Sequence, residues 1–231
     1  MSRVKLVLFR ESDGAVPLLE WLNSLQPKAR AKCRAWMRQL REQGHDLRRP
    51  VADYLRDGIY ELRVGFRGSN YRLLYFFHGR EIVVVSHGLI KERLVPPKEI
   101  EQPFAAATIS PGIRQGILLS RRRDFMAKKR KTTSDAIEII DRRYFRGRPE
   151  REAELAEAEA DVAVAEKIYK LRAKAELTQR QLAKLVGTTA SVICRLEDAD
   201  YEGHSLAMLN RIAAALDKRV EIRFLPAKQQ T

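Results

Sequence analysis

Residues 177–197 read LTQRQLAKLVGTTASVICRLE, and they decide the fold of the C-terminal half of the chain. The stretch predicts two short helices joined by a tight turn that opens at Gly187. Thr178 and Gln181 have the spacing of a capping box, which begins the first helix. Thr189 is placed to cap the second helix. Two short capped helices separated by such a turn are typical of a helix-turn-helix unit.

The side chains of this unit divide into an inner and an outer set. Apolar residues at helical spacing predict a buried face made of Leu182, Ala183, Leu185, Val186, Ile193 and Leu196. Ala190, Ser191 and Arg195 are predicted to face outward, as a reader of the major groove requires. An ordinary pair of packed helices is the alternative interpretation.

The unit resembles the DNA-binding domains of phage repressors. That resemblance implies that Ala190, Ser191 and Arg195 lie at base edges, with Arg195 binding guanine O6 and N7. Ala190 departs from the long polar side chain often found at its position, so its contact would be apolar or absent. Gln179, Arg180 and Thr188 lie where helix ends meet phosphate groups in such domains. The predicted DNA-binding set is therefore Gln179, Arg180, Thr188, Thr189, Ala190, Ser191 and Arg195. A homodimer formed through the C-terminal domain is expected to bind a palindromic operator.

The composition of the whole chain favours a nucleic-acid partner. Of 231 residues, 44 are basic and 30 are acidic, which gives a net charge of +14 and makes acidic substrates less suitable. The length suits two small domains. Cys33 and Cys194 lack metal-ligand spacing and are predicted to be free thiols in a reducing cytoplasm, so neither a metal nor a catalytic cysteine is expected. We expect a soluble, cytoplasmic chain with no cofactor and no membrane partner.

The first 103 residues predict an α+β domain. Alternation over residues 3–9 indicates a strand, and helical spacing over 16–43, broken by Pro27, indicates two helices. Three β-rich runs follow, separated by turn signals, and predict an antiparallel meander over residues 59–64, 70–77 and 81–87. A short helix is predicted around residues 98–102. The predicted order is strand, two helices, three strands.

Basic residues on these strands form a candidate catalytic set. Alternation places Tyr60, Leu62 and Val64 on one face of their strand and Glu61 and Arg63 on the other. The same alternation allows one sheet face to gather Arg63, Arg72, His87 and Lys91. Cleavage of RNA through its own 2′-hydroxyl needs a base, an acid and cations for the phosphorane, and it requires no metal.

The segments IYELRVGFRGSNYRLLYFF and VVVSHGLIKE resemble the RelE/HigB family of toxins, small ribonucleases that cut messenger RNA, usually in the ribosome. The resemblance implies that Arg72 steadies the transition-state phosphate and that Lys91 belongs to the basic segment completing the site. His87 is the candidate acid or base, because an imidazole titrates near neutral pH. Structural alternatives remain open: His87 bonds a backbone carbonyl, Arg63 pairs with Glu61, and Tyr75 packs in the core instead of stacking on a base.

Residues 126–231 resemble a HigA-type antitoxin beyond the helix-turn-helix itself. Thr133 or Ser134 is predicted to cap a helix carrying Ile137, Ile139 and Ile140, and a long charged helix follows Pro149. Ser205 is predicted to cap a further helix whose core stripe is Leu206, Leu209, Ile212, Ala213 and Leu216. Residues 220–225 alternate like a terminal strand. We divide this half into a linker (104–125), an antitoxin N-terminal helical region (126–168) and a helix-turn-helix domain (169–231).

These patterns predict a toxin–antitoxin fusion. The first domain is interpreted as an endoribonuclease acting on mRNA, and the C-terminal half as its inhibitor and as an autorepressor that binds operator DNA. The Glu-rich helix over residues 150–166 either lies against the basic sheet face or is solvated. The alternative function is a catalytically inactive toxin-like domain fused to a DNA-binding regulator. A third interpretation is a laboratory fusion, which the irregular linker disfavours because designed linkers are usually rich in Gly and Ser.

Overall fold

The computed structural model describes residues 3–90, 133–200 and 205–223. The chain divides into two compact units, which span residues 1–162 and 163–231. The first unit contains a mixed sheet with helices, and the second is helical within its described residues. The predicted α+β class is therefore confirmed.

The first unit begins with the elements predicted for a small α+β domain and one further strand, β2. They are β1 (Lys5–Leu8), α1 (Pro17–Ser24), α2 (Pro27–Gln43), β2 (Ala52–Arg56), β3 (Ile59–Phe66), β4 (Ser69–His78) and β5 (Ile82–Ile90). A short 3-10 helix, Gly44–Asp46, follows α2. A proline occupies the first turn of both α1 and α2, where its missing N–H costs no helical hydrogen bond.

The five strands form one sheet in the order β1-β5-β4-β3-β2. Strands β2 to β5 are an antiparallel meander, and β1 pairs with β5 in parallel. The predicted strand order was incomplete, because β2 was missed as an edge strand. Its signal was the Asp57-Gly58 pair, which occupies a hairpin turn with φ values of 51° and 78°.

One face of the sheet, which we call the helix-covered face, carries α1 and α2. Trp21 of α1 packs edge-on against Tyr71, and a Cβ at position 88 would overlap the Trp21 indole. The α2 side chains Cys33, Trp36, Met37 and Leu40 are buried, as predicted. On the sheet, register and alternation place Leu62, Val64, Leu73 and Tyr75 on this face.

The first unit also contains three elements from the C-terminal half of the sequence. They are α3 (Ala136–Ile140), a π-helical turn (Asp141–Phe145) and the beginning of α4 (Pro149–Lys174). The predicted cap of α3 was wrong: Asp135 caps it by accepting hydrogen bonds from the amides of Ile137 and Glu138, while Thr133 accepts one from the Asp135 amide. A carboxylate accepts amide hydrogen bonds strongly at a helix N-terminus, which explains why Asp135 takes this role.

The second unit has the predicted helix-turn-helix. It contains α5 (Gln179–Val186), α6 (Ala190–Glu197) and α7 (Leu206–Ala215), and the end of α4 joins their core through Ile168. Thr178 and Gln181 form the capping box, Gly187 ends α5 in the left-handed region with φ 71°, and Thr189 caps α6. Each of these local signals is confirmed.

Some predictions for the second unit were wrong or fall on residues that are not described. Leu185 and Leu206 are 58% and 48% exposed, so neither belongs to the buried stripe of its helix. Residues 220–223 form no strand, and 224–225 lie outside the described residues. The helix predicted at 98–102, the linker 104–125 and residues 126–132 also lie outside them.

Candidate nucleic-acid interfaces

The second face of the sheet, which we call the arginine face, gathers most of the predicted catalytic residues. Arg63 of β3 is the register partner of Arg72 on β4, and Arg72 is the partner of Leu89 on β5. His87 lies two residues before Leu89 and therefore shares this face. The alternation predicted from sequence thus places Arg63, Arg72 and His87 on one face. Lys91, the fourth predicted catalytic residue, lies outside the described residues.

A buried carboxylate, Glu61, organises the two arginines. Its side chain is fully buried, and its Oε1 accepts a hydrogen bond from Arg63 Nε at 2.7 Å. Its Oε2 lies 3.2 Å from Arg72 Nε in a second ion pair. Sequence reasoning treated Glu61 only as an alternative partner for Arg63, and the structure shows that it holds both guanidinium groups.

The ion pairs continue from Arg63 to the edge strand. Arg63 Nη2 bonds Asp53 Oδ2 at 2.7 Å, and Arg49 bonds the same carboxylate. A hydrogen bond from Arg49 and the charge of Arg63 lower the pKa of Asp53. Arg72 is only 8% exposed, and its Nη1 donates to the Tyr71 carbonyl at 2.9 Å. Both candidate arginines are therefore fixed in position by neighbouring acceptors.

Three other residues singled out from sequence have clear environments. His87 Nδ1 lies 3.0 Å from the Ser86 hydroxyl, and the ring is half-buried. Tyr75 is buried on the helix-covered face, where it stacks on Tyr60, so the core interpretation of Tyr75 is the one observed. Burial raises the pKa of the Cys33 thiol to about 12, and both cysteines are free.

A separate charged surface lies on α2. The arginines Arg30, Arg34, Arg38 and Arg41 recur at helical spacing, and together with Lys28 in the first turn they form a set of cations that we call the α2 basic row. Residues 133–162 pack along this row, and α3 contacts both α2 and β1. Each cation of the row has a partner in that segment. The Glu-rich helix therefore binds basic residues of α2, whereas one sequence interpretation placed it against the sheet.

Arg34 is the most deeply buried cation of the α2 basic row. Its Nε and Nη2 bond the two oxygens of Asp141 at 2.6 and 2.5 Å, which is a bidentate pair. Its Nη1 bonds Glu159 at 2.5 Å, and the Arg34 side chain keeps only 7% exposure. Nearby, Tyr144 donates from its hydroxyl to the Leu19 carbonyl at 2.6 Å. These contacts attach residues 133–162 firmly to the first domain.

We expect Arg34→Ala to destabilise the first unit by about 2–3 kcal/mol, because it leaves two partly buried carboxylates without their cation. Arg38→Ala is the matched control: that side chain is 43% exposed, and its loss should cost less than about 1 kcal/mol. Urea unfolding followed by tryptophan fluorescence measures the effect, since both tryptophans, Trp21 and Trp36, lie in this unit. Equal costs for the two variants would contradict the importance of the buried pair.

The helix-turn-helix presents the predicted DNA-binding residues at its surface. Arg180, Thr189, Ser191 and Arg195 are exposed, and Gln179, Thr188 and Ala190 are half-buried. Arg195 Nη2 donates to the Asp200 carbonyl at 3.3 Å, a long contact that could exchange for a base edge. The roles of these residues in DNA binding remain predictions.

A buried ion pair joins the end of α4 to the end of α6. Glu197, at the end of α6, is fully buried and receives two hydrogen bonds from Arg172, at 2.5 and 2.8 Å. Gln179 Nε2 donates to the same carboxylate at 2.8 Å. Gln179, predicted to bind phosphate, therefore also links the start of α5 to the end of α6. Sequence reasoning missed Glu197 and Arg172, which are 25 residues apart.

We expect Glu197→Ala to loosen the helix-turn-helix by about 3 kcal/mol, because Arg172 would keep a buried charge without its partner. Hydrogen exchange of the α6 amides measures this locally and should become more than about a hundredfold faster. Glu221→Ala is the control, since Glu221 is 58% exposed where it pairs with Arg223, and its loss should cost about 0.5 kcal/mol or less. Unchanged α6 exchange in Glu197→Ala would refute the role of this pair.

Two families of known domains match the chain. Residues 149–224 match the family described as "Helix-turn-helix domain", and residues 20–102 match the family described as "Phage derived protein Gp49-like (DUF891)". No curated protein matches the chain. These matches support a toxin-like domain, similar to Gp49-like proteins, fused to a DNA-binding helix-turn-helix domain. This confirms the coarser part of the predicted resemblance.

The described residues offer neither a cluster of metal ligands nor a helix suited to a membrane. No group of three or more histidine, cysteine or acidic side chains in residues 3–90, 133–200 and 205–223 is arranged to hold a metal ion. Among the helices of those same ranges, none combines the length and the apolar character that crossing a membrane requires.

Proposed function

We propose that the chain is a toxin–antitoxin fusion. Its first domain is an endoribonuclease that cleaves mRNA without a metal, residues 133–162 keep that domain inhibited, and the helix-turn-helix represses the chain's own promoter. The toxin segment is 1–103, the linker 104–125, the antitoxin helical region 126–168 and the DNA-binding segment 169–231. One observation carries the proposal: the part of the chain that resembles an antitoxin is bound to the part that resembles a toxin.

The arginine face supplies the groups that this cleavage needs. Arg72 and Arg63 stabilise the charge of the phosphorane, and His87 transfers a proton to or from the reacting oxygens. Lys91 adds a further cation. Glu61 is a positioning residue that fixes the two guanidinium groups, so little reorganisation is needed when a phosphate arrives.

Tethering makes inhibition the resting condition of the chain. A linker of this length gives the inhibitor an effective concentration of about millimolar, far above the level of a free cytoplasmic partner. The substrate is mRNA, either free or on the ribosome, and the DNA partner is an operator read by a homodimer formed through the C-terminal domain.

A second candidate function is a DNA-binding regulator whose toxin-like domain does not cleave RNA. The ion pairs of the arginine face favour it, because Arg63 and Arg72 already bind Glu61 and Asp53. The charge of an arginine that already forms ion pairs with carboxylates is compensated without a bound phosphate.

We expect residues 1–103 expressed alone to arrest growth and to cleave RNA, and the intact chain to be tolerated. Growth curves and cleavage of purified mRNA, with and without residues 126–231, measure this. Tryptophan fluorescence establishes that the fragment is folded, since it contains Trp21 and Trp36. A folded fragment that is tolerated and does not cleave RNA would favour the second candidate.

A further inference from the structure

The α2 basic row is laid out like a surface for an extended polyanion. Arg30, Arg34 and Arg38 follow one another at intervals of four residues, which places them about 6 Å apart along the helix axis. This interval is on the scale of successive nucleotides in an extended strand. Arg41 lengthens the row toward the end of α2, and Lys28 adds a cation on another side of the first helical turn.

The docked segment places carboxylates along this row, one after another. Glu157 lies 3.4 Å from Lys28, Asp141 and Glu159 bind Arg34, and Glu159 continues to Arg38 at 2.7 Å. Asp135 reaches Arg41 at 3.5 Å. The negative charges come from three separate places in the segment, yet they follow the order of the cations on α2.

The remaining member of the row, Arg30, faces an aromatic ring instead of a carboxylate. Its guanidinium lies 4.6 Å from the centre of the Tyr144 ring, and it also donates hydrogen bonds to the Leu22, Asn23 and Leu25 carbonyls at the end of α1. Guanidinium planes stack on nucleobases in the same manner, and their fork binds phosphate and carboxylate oxygens with similar geometry. The carboxylates beside the other four cations stand where the phosphates of a single RNA strand would lie.

We propose that the α2 basic row is an RNA-binding surface of the first domain, and that residues 133–162 occupy it as a mimic of the RNA strand. This inference rests on the proposed RNA-directed function and deepens it. Inhibition then acts by competition for α2, on the side of the sheet opposite to Arg63 and Arg72. Lys32, which lies over the Phe66 ring, shows that α2 packs on the helix-covered face.

Neutralising the mimic in the full chain tests the inference. The double variant Asp141→Asn and Glu159→Gln keeps side-chain shape and removes two charges that bind Arg34. We expect it to bind a short oligouridylate about tenfold or more tightly than the unaltered chain does. The plot of log affinity against log salt should steepen by about 0.7 for each additional phosphate that the protein neutralises.

The matched control is Glu138→Gln with Glu221→Gln. These residues are exposed where they pair with Arg142 and Arg223, so the control removes the same net charge without changing a carboxylate that pairs with the row. Its RNA affinity and salt slope should remain close to those of the unaltered chain. Equal changes in the two double variants, or no change in either, would overturn the inference.

Hydrogen exchange of the unaltered chain gives a second readout that needs no variant. Saturating oligouridylate should speed exchange of the α3 amides, because RNA displaces the segment from α2. Unchanged α3 exchange would overturn the inference even if the double variant failed to fold. Both readouts are independent of cleavage: RNA displacement without cleavage would count against the proposed nuclease alone, and cleavage without displacement would count against the mimic alone.

Discussion

Replacing Arg72 by alanine is expected to lower RNA cleavage by the first domain about a hundredfold or more, and to relieve growth arrest. Arg72 is the most deeply buried cation of the arginine face, where a preorganised guanidinium stabilises a developing phosphorane best. Cleavage is measured with residues 1–103, or with the full chain carrying Asp141→Asn and Glu159→Gln. The effect belongs to the chemical step, so it should appear in kcat.

The controls for Arg72 separate chemistry from folding. Removing Arg72 also leaves Glu61 with one cation fewer, so tryptophan fluorescence must show that the variant is folded. Arg72→Lys keeps the charge and should recover part of the rate, because a lysine cannot form the same fork. Arg80→Ala changes an exposed arginine in the turn before β5 and should leave cleavage intact. A folded Arg72→Ala that cleaves at the parent rate would remove Arg72 from the site.

Arg195→Ala is expected to weaken binding to the chain's own operator by about 1–3 kcal/mol, and binding to random DNA much less. The reason is that a bidentate bond to guanine exists only on the correct sequence. Arg195 is exposed, and its bond to the Asp200 carbonyl is long at 3.3 Å, so its guanidinium lies at a surface that DNA can reach.

Arg180→Ala is the matched control for Arg195. A phosphate contact carries no sequence information, so its loss should weaken operator and random DNA alike. It should also reduce the slope of log affinity against log salt by about 0.9. Titrations of both variants on both DNAs, at several salt concentrations, give the comparison. If Arg195→Ala weakens both DNAs equally, α6 does not read bases and the predicted DNA interface is wrong.

Local sequence signals accounted for most of the secondary structure. The capping box at Thr178, the left-handed Gly187 and the prolines at the starts of α1 and α2 act over a few residues. Backbone hydrogen bonds within one turn and fixed φ values are properties of the local chain, so the sequence alone predicts them. Strand alternation likewise predicted that Arg63 and Arg72 share one face of the sheet.

Long-range contacts decided what these elements do together. The pairing of β1 with β5 joins residues that are 77 apart in sequence, since Lys5 faces Ile82. The arginines of α2 stand at helical spacing in the sequence, but this pattern does not predict that Asp141 and Glu159 are the ion-pair partners of Arg34. The same limit applies to Glu197, whose partner Arg172 belongs to another helix. Exposure of Leu185 and Leu206 was also unpredictable from periodicity, because the packing of neighbouring helices decides which end of an apolar stripe is covered.

The sequence by itself determined where the helices of the helix-turn-helix begin and end, that Arg63 and Arg72 share a face, and that a basic α+β domain precedes a helix-turn-helix. Only the tertiary structure decided that residues 133–162 join the first unit and bind α2 instead of the arginine face. The physical reason is the reach of the forces involved. Caps and alternation depend on neighbours along the chain, whereas the choice between two basic surfaces depends on shape, burial and the simultaneous geometry of several ion pairs.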